Sequence, residues 1–130
     1  MEPLIYIIDN DIVSRFCLEI KIKQSRIPCR VIGFDTAEQG LERLIESLDK
    51  KWDFPDILFF DLDKYDGGVR NFIEFFESLD NRPKETDIYI FTSYICTNDS
   101  VRIGEHPSVK GHFKKPLSGV SLNELFLRRI

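Results

Sequence analysis

Three stretches of this chain are short, apolar almost without interruption, and stop abruptly at a polar residue: Leu4 to Ile8 ends at Asp9, Ile57 to Phe60 at Asp61, and Ile88 to Phe91 at Thr92. Runs of this length are too short to be buried helices and too continuous to be strands with one wet face. They read as strands covered on both faces, which is how strands of a parallel sheet look in sequence. Between the runs the apolar period changes. Ile12, Phe16 and Ile20 recur at helical spacing after the first run, and Pro28 closes that region. Arg30 to Phe34 supplies a second strand, and Thr36 is a fitting N-cap for a helix over Ala37 to Leu48 with Leu41, Leu44, Ile45 and Leu48 as its stripe. The turn Asp66-Gly67-Gly68 precedes a helix from Val69 to Leu79, and Pro83 separates it from the next strand. A weaker helical pattern covers Thr97 to Glu105. Gly111 to Phe113 forms a short fifth strand ending at Lys114-Lys115-Pro116, and a last helix spans Leu117 to Ile130 with Leu122, Leu125, Phe126 and Ile130 apolar. Strands alternating with helices predict an α/β fold, a doubly wound five-stranded parallel sheet with right-handed crossovers.

Composition narrows the function classes. With 130 residues, 42% of them hydrophobic and eleven of them Phe, the chain fills one core, so a single domain over 1–130 with no second domain is expected. A net charge of −4 with dispersed Lys and Arg argues against a nucleic-acid surface. No apolar run approaches the roughly 20 residues of a membrane span, and Met1 leads into the first strand without a basic leader, which predicts a cytoplasmic protein. Cys17, Cys29 and Cys96 are odd in number and lack metal spacing. They read as reduced thiols serving as small buried or half-buried hydrophobes.

In a parallel sheet every strand opens its carboxyl end on the same edge, so Asp9, Asn10, Asp11, Asp61, Thr92 and Lys115 are expected to meet there. An aspartate at the mouth of a buried strand is a nucleophile suited to phosphorus, provided a hard cation held by oxygens offsets the repulsion between anions. Asp9 and Asp61 suit that cation, and a hydroxyl and an ammonium such as Thr92 and Lys115 suit the charge on equatorial phosphoryl oxygens. Taken singly, each is as well read as a turn, cap or solvated residue. Their order after successive strands is what makes them a set.

From end to end the chain resembles the receiver domains of two-component response regulators, which have a flavodoxin-like fold. Ile5 to Asp11 resembles the family's first strand and acidic pair, and Pro55 to Asp61 the strand that bears the phosphoacceptor. Asp66-Gly67 resembles the turn before the third helix, Ile90 to Ser93 the strand ending in the switch hydroxyl, and Gly111 to Pro116 the Lys-Pro signature. The resemblance implies Asp61 as phosphoacceptor, with Thr92 and Lys115 completing the catalytic set. It implies magnesium held by Asp9, Asn10, Asp61 and the Asp63 backbone carbonyl, and a switch formed by Thr92 and His112.

Three positions depart from the family pattern. Asn10 stands where the family usually has a carboxylate, and an amide brings an oxygen but no charge, so weaker magnesium binding is expected, with Asp63 as a compensator. The loop Leu62-Asp63-Lys64-Tyr65 lacks the usual Met-Pro and is shorter than the family's. His112 replaces the usual Tyr or Phe, adding a group that titrates near neutral pH.

By the resemblance, the function is phosphorelay signalling by a stand-alone receiver rather than an enzyme acting on other substrates. A sensor histidine kinase or histidine phosphotransfer protein would donate, docking on the first helix around Val13 and Phe16. A downstream protein would read the face around Val101, His112, Phe113 and Leu122 to Phe126, and the chain would be a monomer or weak homodimer, with no nucleic-acid or membrane partner. Two other readings stand beside it. One is a degenerate pseudo-receiver acting as a phosphorylation-independent interaction module. The other is a haloacid-dehalogenase-like phosphatase, suggested by Asp61-Leu62-Asp63 but opposed by Tyr65 and by the lack of an acidic pair after Lys115.

Overall fold

The computed structural model describes residues 2–61, 68–92, 106–115 and 117–129. Five parallel strands, β1 (Leu4–Ile8), β2 (Arg30–Phe34), β3 (Ile57–Asp61), β4 (Asp87–Thr92) and β5 (Val109–Lys114), form one sheet in the order β2-β1-β3-β4-β5. Among the described residues four helices accompany them: α1 (Ile12–Gln24), α2 (Ala37–Glu46), α3 (Gly68–Ser78) and α4 (Gly119–Arg129). A 3-10 turn, Lys51–Asp53, leads into β3. This is the flavodoxin-like, doubly wound architecture expected from the sequence. The helical pattern at Thr97 to Glu105 lies outside the described residues.

The apolar runs alternate between two cores. Leu4, Tyr6 and Ile8 of β1, Leu58 and Phe60 of β3, and Ile88 and Ile90 of β4 face Leu44 of α2 and Phe72, Ile73 and Phe76 of α3. Ile5, Ile7, Ile57, Phe59, Tyr89 and Phe91 face the other way, onto Leu18 and Ile22 of α1 and Leu122, Leu125 and Phe126 of α4. Two buried faces are why β1, and β3 and β4 between their polar end residues, had to be apolar on both sides of the strand. Edge-on ring contacts fix the packing: Phe60 against Phe72 at 5.2 Å and Phe59 against Phe91 at 6.2 Å.

Caps place the helices. Thr36 Oγ1 accepts from Gln39 N at 3.2 Å while Gln39 Oε1 accepts from Asp35 N at 3.0 Å, so the α2 start is tied from both sides. Asp11 Oδ1 accepts from Val13 N and Ser14 N at 3.0 and 3.3 Å and caps α1. Below the sheet, at the amino edge, Asp56 accepts from Leu4 N at 2.8 Å and pairs with Lys84 at 3.1 Å, a structural role. Glu77 at the end of α3 accepts from Ser108 N and Oγ and meets the His106 ring, anchoring the entry to β5. Burial alone would raise the Glu77 carboxyl, but the bonds from Ser108 and His106 outweigh it and hold the group below the usual range.

The α1 row read from helical spacing, Ile12, Phe16 and Ile20, turns out to be exposed, as does Val13. Ile12, Val13 and Phe16 are 67%, 66% and 59% exposed, and the helix packs instead through Leu18 and Ile22. The i, i+4 spacing found a real apolar row, but a helix with two apolar rows does not say in sequence which one meets the sheet. Cys17 is exposed and Cys29 half-buried, so only Cys29 fits the expected packing role, while Cys96 is outside the described residues. Leu122, Leu125 and Phe126, expected to contribute to an output surface, are instead buried in the core.

Leu44 has no exposed surface and sits in the middle of the α2–α3 core. Leu44→Ala is expected to lower unfolding stability by about 2–5 kcal/mol through lost transfer energy and an unfilled cavity, measured as a drop in the urea midpoint with unchanged slope.

Candidate functional site

Register brings the polar strand ends together. Ile8 pairs with Phe60, Asp61 with Phe91, and Thr92 with Lys114, so Asp9, Asp61, Thr92 and Lys115 succeed one another along the carboxyl edge of three neighbouring strands and the end of β5. Continuing the alternation of β1 and β3 by one residue turns Asp9 and Asp61 toward the α1 and α4 side. There the Lys115 ammonium lies 3.3 Å from Asp9 Oδ2 and 3.0 Å from Asp61 Oδ1. Lys115 is held by its own backbone, whose N–H donates to Thr92 O at 2.8 Å, and its ammonium stands 4.9 Å over the Phe91 ring.

The carboxylates are far from bulk water. The Asp9 side chain has no exposed surface, that of Asp61 is 6% exposed and that of Lys115 13%. Buried charges persist only when paired, and here one ammonium is shared by two carboxylates. Asp9 Oδ1 also accepts from Asp11 N at 2.9 Å. Thr92 is buried at the end of β4. A cavity of about 290 Å³ adjoins the cluster, lined by Cys17, Leu18, Phe91, Lys115 and Leu117 among others.

Of the residues named from sequence, Asp9, Asp61 and Lys115 form one contact cluster, with Thr92 tied to Lys115 through the backbone. Asn10 is exposed on the turn that leaves β1. Asp11 is committed to capping α1. Asp63 lies outside the described residues. His112 is on the exposed side of the edge strand β5, paired with Ile90, while the neighbouring Phe113 packs on Tyr89 at 5.7 Å.

One residue near the cluster was not anticipated. Arg15 of α1 donates to Asp9 O at 3.0 Å and pairs with Asp35 at 2.5 Å. Its one sequence signal is Gly33, a glycine inside a strand, which marks close approach of another group.

A hard divalent cation fits this donor set. The oxygens of two buried carboxylates converge on one cationic atom, although among the described residues no group of three or more His, Cys, Asp or Glu side chains gathers around a point.

Comparison with solved structures identifies the fold. A two-component response regulator from Cytophaga hutchinsonii superposes with a TM-score of 0.85 at 17% identity, covering 98% of this chain and 96% of that one. The CheY-like receiver domain protein from Methanospirillum hungatei gives 0.74 at 18% identity over 99% and 94%. Chemotaxis protein CheY4 from Vibrio cholerae gives 0.74 at 14% identity over the whole of both chains. No protein-family model matches the sequence, and no curated protein matches it. The chain therefore has the response-regulator receiver fold, and the likeness is one of structure.

Partial loss of hydration pushes the His112 imidazole below its ordinary value of 6.5. The unfolded chain then binds that proton more readily, so stability is full above the unfolded value and is lost as pH falls through it toward the folded one. Urea midpoints measured from pH 8 to pH 5 should fall less steeply in His112→Gln than in the native chain.

Proposed function

We propose that this chain is a phosphorelay receiver, a stand-alone response-regulator domain whose Asp61 carboxylate accepts a phosphoryl group from a phosphohistidine donor. The observation that carries the reading is the Lys115 ammonium shared between the buried carboxylates of Asp9 and Asp61 at the carboxyl edge of the sheet. An Asp61 oxygen attacks phosphorus, the bond from phosphorus to the donor imidazole breaks, and its electron pair stays on the ring nitrogen. The product is an acyl phosphate, which water later cleaves to restore the carboxylate. Lys115 is within ion-pair reach of Asp61 and stabilises charge that builds on the phosphoryl oxygens, with the Thr92 hydroxyl as a second partner.

A magnesium ion, when bound, supplies the charge that offsets repulsion between Asp9, Asp61 and the phosphoryl oxygens. Asp9, Asp61 and the amide oxygen of Asn10 would hold it, together with the Asp63 carbonyl assigned by resemblance. The product adds about 1.5–2 negative charges at one buried point, which draws Thr92 toward it and shifts a two-state equilibrium of the surrounding surface. His112, on the strand beside β4, is the surface residue placed to follow that movement. The donor, a sensor kinase or phosphotransfer protein, docks on the exposed apolar row of Ile12, Val13 and Phe16, next to the acidic edge. A downstream protein reads the altered surface. The setting is cytoplasmic, and no described helix is long and apolar enough to cross a membrane.

Asn10 favours a second reading, an interaction module that keeps the fold and the apolar α1 surface but works without phosphorylation. Intact mass after incubation with magnesium and a small phosphodonor separates the two. One phosphoryl adduct on the native chain and none on Asp61→Ala, with the mutant still folded, is the expected result. Equal adduct on the mutant would overturn the assignment of Asp61, and no adduct on either, with metal binding also missing, would favour the interaction module. Asn10→Asp restores a carboxylate and is expected to tighten magnesium binding by about an order of magnitude in calorimetry.

A further inference from the structure

We infer that Arg15 is a positioning residue for Asp9, one that fixes the direction of the Asp9 carboxylate and of the residue after it. The inference rests on reading Asp9 as a metal-holding carboxylate, and it concerns how a site with an amide at position 10 keeps its geometry.

An arginine on the first turns of a surface helix ordinarily extends into water and lays only its stem on the protein. Arg15 does the reverse. Its side chain is only 15% exposed and crosses the end of the sheet to reach Asp9 O at 3.0 Å and the Asp35 carboxylate just past β2. The path is open because position 33 carries no side chain. A Cβ there would stand 2.7 Å from Arg15 Cδ and 2.9 Å from Arg15 Nε, closer than carbon and nitrogen atoms approach without displacement. Gly33 shows no positive φ that would itself demand glycine. Its lack of a side chain instead serves the arginine.

The result is an Asp9 held at each polar atom. Its N–H donates to Phe34 O at 3.0 Å, its Oδ1 accepts from Asp11 N at 2.9 Å, its Oδ2 meets Lys115, and its carbonyl accepts from Arg15. The carbonyl bond is the one that sets the plane of the Asp9–Asn10 peptide, and hence the direction in which the Asn10 side chain leaves the backbone. Partners that orient a ligating group without touching the metal matter most where the ligands themselves are weak. An uncharged amide in place of a carboxylate is such a case.

Two simpler roles make different predictions. If Arg15 only forms a surface ion pair with Asp35, which is 59% exposed, its removal changes the site little. If its charge merely opposes a cation, removal tightens metal binding. Positioning predicts the opposite sign.

The test uses Arg15→Met, Gly33→Ala and the double variant of the full chain, with magnesium alone as the probe in calorimetry. The amide proton shift of Asp11, which reports its bond to Asp9 Oδ1, is the metal-free readout. Gly33→Ala retains the arginine charge, and its methyl would displace the Arg15 side chain from Cδ outward while also standing 3.0 Å from Glu19 Oε1. We expect each single variant to weaken magnesium about 10-fold and to move the Asp11 amide proton upfield, with the double variant no worse than either. Unchanged or tighter magnesium binding in Arg15→Met, or an Asp11 shift unmoved in both single variants, would overturn the proposal. If the native chain binds no magnesium, the metal reading of Asp9 fails while the Asp11 shift still decides whether Arg15 positions it. Should Arg15→Met fail to fold, Gly33→Ala carries the same decision alone.

Discussion

Covering a sheet on both faces leaves its polar groups little room except at the strand ends. In this chain β1, β3 and β4 are buried almost throughout, so Asp9, Asp61 and Thr92 mark the points where each strand meets the edge of its apolar cover. Parallel pairing sends all those ends the same way. Two carboxylates brought so close and so dry would repel strongly without a cation between them, and Lys115 at the end of β5 supplies it. The cluster therefore depends on the sheet's order: β5 must lie beside β4 for its lysine to reach across to β1 and β3.

The same constraint sets what α1 does. Its core contacts run through Leu18 and Ile22, while Arg15 bends over Gly33 to hold the turn after β1. Its remaining apolar row, Ile12, Val13 and Phe16, is left in water next to the acidic edge. An exposed apolar surface has a free-energy cost in a monomer, and in the proposed reading its use is to receive a partner beside the reacting carboxylate. One helix thus serves the core, the support of the edge and the candidate docking surface.

Much of this was legible before any coordinates. Period-2 burial needs only the apolar runs, and Thr36 and the Leu41–Leu44 row announced α2 by local chemistry alone. The convergence of Asp9, Asp61 and Lys115 followed from parallel topology. Arg15 was not legible, because its contacts join residues distant in sequence, and a long flexible side chain has no periodicity to reveal where it ends. Val13 and Phe16 were read as partner-facing and are exposed, but that Leu18 and Ile22 are the α1 residues that meet the sheet was not legible, because helical spacing identifies a row but not its rotation against the sheet. Asp11, grouped in sequence with the polar strand ends, is instead taken up in capping α1.

The sequence by itself determined the alternation of strands and helices, the two-faced burial of the sheet and the order of polar residues at its edge. These depend on periodicity and on interactions between near neighbours. Only the tertiary structure decided which row of α1 meets the core, that Lys115 spans two carboxylates rather than one, and that Arg15 reaches the Asp9 carbonyl over a glycine. Those outcomes are set by where elements far apart in the chain come to rest against one another, and by distances of a few ångströms that no local pattern encodes.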